Sequence, residues 1–131
     1  VEELVRNSDI ICTTTPSTTP VLPDDKELLR GKCIIAIGSY MPEMREIPDA
    51  VLDLVDNVYI ELPYACEESG DLSQPLASGK LTKDRIKLMH EYLVSGEKEI
   101  KEGQTTYFKS VGMGLFDVCI AQKLYEVAKE K

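Results

Sequence analysis

The stretch that decides the fold is residues 8–17, which read Ser-Asp-Ile-Ile-Cys-Thr-Thr-Thr-Pro-Ser. Residues 10–15 form an apolar and β-branched run that Pro16 stops, and this pattern predicts a short strand. Similar runs follow at residues 33–37 and 58–62. Near-continuous apolar strands are typical of parallel sheets that are covered on both faces. We therefore expect a buried parallel sheet.

Helical segments alternate with these strands along the chain. The predicted helices cover residues 1–7, 25–30, 47–55, 82–95 and 115–129, and a fourth strand covers residues 105–109. Residues 67–75 are predicted to be mostly loop, and Asp24 with Glu27 fits a capping pair at the start of the second helix. Short strands that alternate with helices indicate an α/β fold, which here resembles one half of a doubly wound sheet.

A dinucleotide-binding Rossmann domain opens with a strand, the sequence G-x-G-x-x-G and a helix. This chain contains no such sequence, and its nearest match, Gly112-Met113-Gly114, lacks the third glycine. We therefore predict a partial Rossmann-like fold: a doubly wound, mostly parallel sheet that lacks the first βαβ unit and ends in a long C-terminal helix. Because the chain starts with Val1 and not with Met, we expect it to be a piece of a longer polypeptide.

The composition excludes two classes of function. The chain has 131 residues, of which 43% are hydrophobic and 29% are charged, as in a single soluble globular domain. No apolar run approaches the roughly 20 residues that cross a bilayer, so we expect no membrane partner. The formal net charge of −8 argues against nucleic acid, because a binder needs cations to displace the phosphate counterions.

The four cysteines, Cys12, Cys33, Cys66 and Cys119, are widely spaced and form no CxxC pair. Buried free thiols of an intracellular protein are the favoured interpretation. A zinc site would need clustered ligands, and His90, the only histidine, has no cysteine at ligand spacing. With no secretory signal visible at the start of the sequence, we predict a cytoplasmic protein without a metal.

Ligands of open α/β sheets gather beyond the carboxyl ends of the strands, so residues that follow the strands are candidate site residues. Thr13 and Thr15 offer hydroxyl groups to ribose or phosphate oxygens, or they only favour strand structure. Gly38 would allow the backbone to approach a flat ring closely. Tyr40 is a proton donor, a wall of the site or a residue that only packs.

Two further segments carry open alternatives. Ser110 precedes the last helix, whose free N–H groups would hold an anion or a carboxamide; otherwise Ser110 is an ordinary capping serine. Arg45 and Glu46 are an anion contact and its partner, or they are the solvated start of a helix.

Four motifs resemble, in the same order, segments of the ornithine cyclodeaminase/mu-crystallin family. Residues 8–17 are similar to the family's "ADIV-T-TPS" strand, residues 31–47 to its "G-H-NAVG-…-P-…-REL" segment, and residues 68–72 to its "E-[AS]-GDL" motif. Residues 107–112, followed by Asp117 and the last helix, resemble the family's C-terminal end. The variant at residues 38–46 looks most like the fungal branch. The chain thus resembles the C-terminal portion of this family.

The resemblance implies a two-domain, usually homodimeric protein whose Rossmann domain binds NAD or NADP. Residues 1–112 would be the C-terminal portion of that NAD(P)-binding Rossmann-like domain. Residues 113–131 would be a C-terminal helix that returns to the substrate and dimerisation domain. The glycine-rich phosphate loop would lie upstream of Val1.

The implied activity is hydride transfer on a small-molecule amino-acid or imine substrate. The protein would reduce a ketimine or other imine, or interconvert an amino acid and its oxo acid. Two alternatives stay open: ornithine cyclodeaminase, which converts ornithine to proline and ammonia, and a non-catalytic, NADP-dependent small-molecule-binding protein of the crystallin type.

The resemblance also assigns roles to individual residues. The positions that match the family's cofactor contacts are Thr13, Thr15, Ile37, Gly38, Ser39 and Ser110. Val111 matches a substrate-facing position. Tyr40 stands where ornithine cyclodeaminases have the aspartate that acts as general acid and base. A tyrosine does not carry a negative charge at neutral pH, whereas hydride transfer asks less of this position because the cofactor carries the chemistry.

If the phosphate loop lies upstream, this chain by itself lacks half of the dinucleotide site. We therefore expect it to bind NAD or NADP weakly or not at all. Titration calorimetry on the 131-residue chain tests this prediction. A micromolar dissociation constant would contradict it.

Overall fold

The computed structural model describes residues 1–95 and 100–130. Its helices are α1 (Glu2–Arg6), α2 (Lys26–Leu29), α3 (Asp49–Leu54), α4 (Ala65–Glu68), α5 (Gly70–Ser78), α6 (Met89–Ser95) and α7 (Gly114–Lys129). Its strands are β1 (Ile10–Thr13), β2 (Cys33–Ala36), β3 (Val58–Ile60), β4 (Ile86–Leu88) and β5 (Thr106–Lys109). A single 3₁₀ turn, Lys83–Arg85, is found among these residues. Two parts of the predicted domains lie outside the described residues. These are residues 96–99 of the predicted NAD(P)-binding portion and Lys131 at the end of the predicted C-terminal helix.

The strands form one five-stranded sheet in the order β1-β2-β5-β3-β4, and every pair is parallel. β5 comes last in the chain but lies in the middle of the sheet, where it pairs with β2 on one side and β3 on the other. The carboxyl ends of four strands, β1, β2, β5 and β3, therefore lie side by side along one edge. The predicted parallel α/β sheet and long C-terminal helix are confirmed.

One face of the sheet carries the core. Ile11, Ile34, Tyr107 and Val58 are in register across four strands, point to the same face and are at most 4% exposed. Helices α1 to α5 pack on this face through buried side chains that belong to the same cluster: Val5, Leu28, Leu29, Ala50, Val51, Leu52, Ala65 and Leu72. Each buried valine or leucine side chain of this set contributes about 2 kcal/mol.

The opposite face is covered only in part, so the expectation of a sheet covered on both faces is wrong for β1. Helix α6 packs there, and the Tyr92 ring meets the Tyr59 ring edge-on with centroids 5.2 Å apart. On β1, Ile10 is 66% exposed and Cys12 is also exposed. The prediction of buried thiols is wrong as well. Cys12 and Cys119 are exposed, while Cys33 and Cys66 are only half-buried.

Three local predictions are corrected. Residues 86–88, predicted as helix, form the edge strand β4, because Ile86 and Leu88 pair with β3 and tertiary pairing overrides local periodicity. Residues 67–75, predicted as loop, belong mainly to α4 and α5, and Ser69 caps α5 by accepting the Asp71 N–H. The cap of α2 is Asp25, whereas Asp24 accepts the backbone N–H of Ala50.

Candidate functional site at the carboxyl edge of the sheet

The ends of β1 and β2 come so close together that only glycine fits between them. A Cβ atom on Gly38 would overlap the backbone nitrogen and oxygen of Thr15. The position of Gly38 is thus explained by packing against the neighbouring strand end. Thr15 and Gly38, which the sequence predicts to share a site, are direct neighbours.

The carboxylate of Glu46 holds these two strand ends. Its Oε1 accepts from the Thr15 backbone N–H at 2.6 Å and from the Thr15 hydroxyl at 2.8 Å. Its Oε2 accepts from the Thr13 hydroxyl at 2.9 Å and from the Gly38 N–H at 2.8 Å. Glu46 is completely buried. Hydrogen bonds to a charged group are stronger than neutral ones, so this contact fixes both strand ends.

Glu46 is therefore not part of a solvated helix start, since α3 begins three residues later at Asp49. Its neighbour Arg45 forms an ion pair with Asp49 and donates to the Ile47 carbonyl oxygen. The hydroxyl groups of Thr13 and Thr15 donate inward to Glu46 and are not free donors for a ligand.

A second carboxylate, that of Glu61, organises the end of β5. Its Oε1 accepts from the Ser110 hydroxyl at 2.8 Å and from the N–H groups of Val111 at 2.7 Å and Gly112 at 3.1 Å. These N–H groups are consequently not free for an anion. Ser110 is not a helix cap either, because α7 begins at Gly114.

The remaining predicted site residues divide into buried and exposed groups. Ser39 is buried, and its hydroxyl donates to the Met44 carbonyl oxygen and lies 2.7 Å from the Ser69 hydroxyl. Ile37 and Tyr40 are 42% and 49% exposed and lie on the rim of the edge. Val111 is half-buried beside Ser110. Their predicted roles toward a cofactor or substrate stay predictions.

The sequence reasoning missed three buried charged residues: Glu61, described above, Asp71 and Lys109. Asp71 Oδ1 accepts from the N–H groups of Glu46 and Ile47, and its Oδ2 lies 3.5 Å from Lys109 Nζ. Burial raises the pKa of Asp71 and lowers the pKa of Lys109, while the opposite charge of each partner counteracts both shifts. The sequence carried a signal for Glu61, which interrupts an apolar run, and for Lys109, which ends a predicted strand directly after two aromatic residues.

The charges at this edge decide which ligand groups it suits. Glu46 and Glu61 are buried directly beneath the strand ends. Their negative charge disfavours a phosphate here and favours a neutral or cationic ring. The rim above them offers the apolar Ile37 and the hydroxyl of Tyr40. The edge therefore suits a neutral or cationic ring better than a phosphate group.

A cavity of 420 Å³ opens beside β3 and β4, and none of the candidate site residues lines it. It is lined by Ile60, Pro63, Cys66, Glu67, Leu76, Lys83, Ile86 and Leu88.

In residues 1–95 and 100–130, no three His, Cys, Asp or Glu side chains come together in a way that could hold a metal ion. Within the same ranges, no helix is long and apolar enough to cross a membrane.

Fold and edge together define a parallel α/β protein with a ligand site at its strand ends, of the kind that binds nucleotide cofactors. The family model "Ornithine cyclodeaminase/mu-crystallin family" matches residues 1–131. The chain belongs to this family.

Individual relatives are similar over almost the whole chain. Delta(1)-pyrroline-2-carboxylate reductase of Bacillus cereus is 38% identical over 132 residues, which cover 98% of this chain and 40% of the relative. Ketimine reductase mu-crystallin of Rattus norvegicus is 33% identical over 126 residues, 96% of this chain and 38% of the relative. This chain thus spans about 40% of the length of the curated relatives it matches.

A solved structure shows the same architecture. Delta(1)-pyrroline-2-carboxylate reductase of Thermococcus litoralis, in complex with NADH and L-proline, superimposes with a TM-score of 0.81 at 25% identity. The match covers 99% of this chain and 41% of that one.

The close approach of β1 and β2 leads to a testable prediction. Gly38→Ala should lower the free energy of unfolding by at least about 2 kcal/mol, because its Cβ overlaps the Thr15 backbone and the strand ends must separate. Gly114→Ala is the control: no atom lies within 4 Å of its Cβ, and alanine favours a helix by up to about 1 kcal/mol. Urea unfolding measures both changes, and equal midpoints would contradict the prediction.

Proposed function

We propose that this chain is the cofactor-binding C-terminal portion of an NAD(P)-dependent imine reductase. The observation that carries the proposal is the juxtaposition of Thr15, Gly38 and Ser110 along three adjacent strand ends, at an edge that suits a nicotinamide ring. Relatives that are named reductases, and a similar structure that contains NADH, support it.

Each residue at the edge has a role in this proposal. The Ser110 hydroxyl donates its hydrogen to Glu61 and accepts from the Gly112 N–H at 3.1 Å. One lone pair of its oxygen therefore remains to accept from the N–H₂ group of the nicotinamide carboxamide. Ile37 and Gly38 present backbone and apolar surface to the ring, and Val111 faces the substrate. A bound NAD(P)H would supply the hydride.

Tyr40 is the proposed proton donor to the reduced nitrogen. Tyr40 is half-exposed and stands two residues beyond Gly38, which Glu46 holds in place. A neutral phenol donates a proton or a hydrogen bond but cannot act as the anionic base that cyclodeamination requires. This favours imine reduction over the conversion of ornithine to proline and ammonia.

We also propose that residues 1–112 form part of an NAD(P)-binding domain, and that residues 113–131 form a helix that packs on a substrate and dimerisation domain. Two exposed apolar surfaces support this arrangement. One is the face of β1 around Ile10 and Cys12. The other is α7, whose side chains Phe116, Ile120, Leu124 and Val127 are each at least 42% exposed. Apolar surfaces of this extent mark sites where further protein packs.

A turnover assay tests the proposed function. The intact protein should oxidise NADH or NADPH when given a cyclic imino acid such as Δ1-pyrroline-2-carboxylate. Tyr40→Phe should lower kcat about a hundredfold with little change in the cofactor KM, because a proton donor acts mainly in the transition state. Tyr64→Phe, which alters another exposed tyrosine, is the control and should leave both constants unchanged.

Other outcomes of this assay contradict the proposal. Dinucleotide binding without oxidation across a panel of imines and oxo acids would identify a non-catalytic binding protein. Release of proline and ammonia from ornithine would identify a cyclodeaminase. Equal kcat in Tyr40→Phe and the wild type would remove Tyr40 from the mechanism.

A further inference from the structure

One buried lysine faces three buried carboxylates beneath the strand ends. Lys109 is the cation, and Glu46, Glu61 and Asp71 carry the carboxylates; all four residues are at most 5% exposed. Lys109 Nζ lies 3.5 Å from Asp71 Oδ2, and the charges of all three carboxylates attract it. Buried charges require such compensation, because an unpaired charge away from water is very costly.

Asp71 connects this lysine to the edge of the sheet. Its Oδ1 accepts from the Glu46 N–H at 2.7 Å and from the Ile47 N–H at 2.9 Å. The Glu46 side chain then accepts the hydrogen bonds from Thr13, Thr15 and Gly38. An unbroken series of contacts therefore runs from Lys109 through Asp71 to the carboxyl ends of β1 and β2.

Stability alone does not account for this arrangement. A buried ion pair usually stabilises a fold no more than apolar side chains of the same size would. Its location directly under the edge where parallel sheets bind ligands indicates a role in geometry.

We propose that Lys109 and Asp71 are positioning residues for the hydride transfer of the proposed function. They fix the backbone of Glu46, and through its carboxylate they set the relative placement of Thr15 and Gly38. The inference rests on the proposed function for its link to catalysis.

The experiment compares Lys109→Met, Asp71→Asn and the double variant in the intact protein. Asparagine keeps the Oδ1 acceptor for the Glu46 and Ile47 N–H groups, so Asp71→Asn removes the charge and places an N–H₂ group beside Lys109 while these two hydrogen bonds are kept. The kcat, the two KM values and the melting temperature are measured for each variant.

Arg85→Met is the matched control. The Arg85 guanidinium also ties segments together, by donating to the carbonyl oxygens of Leu52, Val55 and Asp56. It lies just before β4, at the opposite edge of the sheet from the candidate site. The Arg85→Met substitution should therefore lower the melting temperature and leave kcat within about twofold of the wild-type value.

Lys109→Met should lower kcat about a hundredfold, since a displacement of the reacting groups by 1 Å has an effect of this size. The double variant should recover at least about tenfold of that loss, because the Asp71 carboxylate is then no longer left buried without its ion-pair partner. A Lys109→Met protein that loses stability but keeps its kcat would overturn the inference. If Lys109→Met does not fold, the comparison is between Asp71→Asn and the double variant. The inference predicts a lower kcat for Asp71→Asn, and a kcat equal to or higher than that of the double variant would overturn the inference.

Amide hydrogen exchange separates this inference from the proposed function. The N–H groups of Thr15 and Gly38 should exchange faster in Lys109→Met, or in Asp71→Asn, than in Arg85→Met. Unchanged exchange at these two positions would contradict the positioning role. A wild-type protein that turns over no imine would contradict the proposed function alone.

Discussion

Four hydrogen bonds to one buried carboxylate, that of Glu46, hold the ends of β1 and β2 in contact. Without this carboxylate, two backbone N–H groups and two threonine O–H groups would be buried or half-buried without an acceptor. Each such orphaned group costs about 1–3 kcal/mol. The constraint is also geometric, since Gly38 lies against the Thr15 backbone and leaves no room for a side chain. The edge of the sheet that carries the candidate site depends on this contact.

The order of the strands brings the candidate site residues together at one edge. Because β5 lies between β2 and β3, Ser110 is placed between Gly38 and Glu61, although these residues are far apart in the sequence. The two carboxylates then bind neighbouring strand ends in the same way, each as an internal acceptor for backbone and hydroxyl groups. Their negative charge beneath the edge disfavours a phosphate there and agrees with the nicotinamide ring of the proposed function.

The sequence was informative where local chemistry decides the structure. The runs that became β1, β2 and β3 are β-branched and end near proline or glycine, so they could be predicted with only small errors at their ends. β4 could not be predicted, because this three-residue edge strand exists only through its pairing with β3. Thr15, Gly38 and Ser110 were correctly expected at one edge, since parallel strands place their carboxyl ends together.

Local sequence patterns could not predict which side chains organise the edge. The donors to Glu46 come from Thr13 and Thr15, more than 30 residues earlier, and from Gly38. A glutamate next to an arginine before a helix looks solvated, and only the tertiary pairing of β1 with β2 shows that it is buried. The placement of Lys109 against Asp71 likewise depends on how β5 enters the sheet.

The most direct measurement is the urea unfolding of Glu46→Gln beside Glu43→Gln in this chain. Glutamine keeps the size of the side chain but turns an N–H₂ group toward donors that need an acceptor. Glu43 is exposed in the same loop and is the matched control. The account predicts a loss of about 2 kcal/mol for Glu46→Gln, with an unchanged slope, and no measurable loss for Glu43→Gln. Equal unfolding midpoints for the two variants would contradict it.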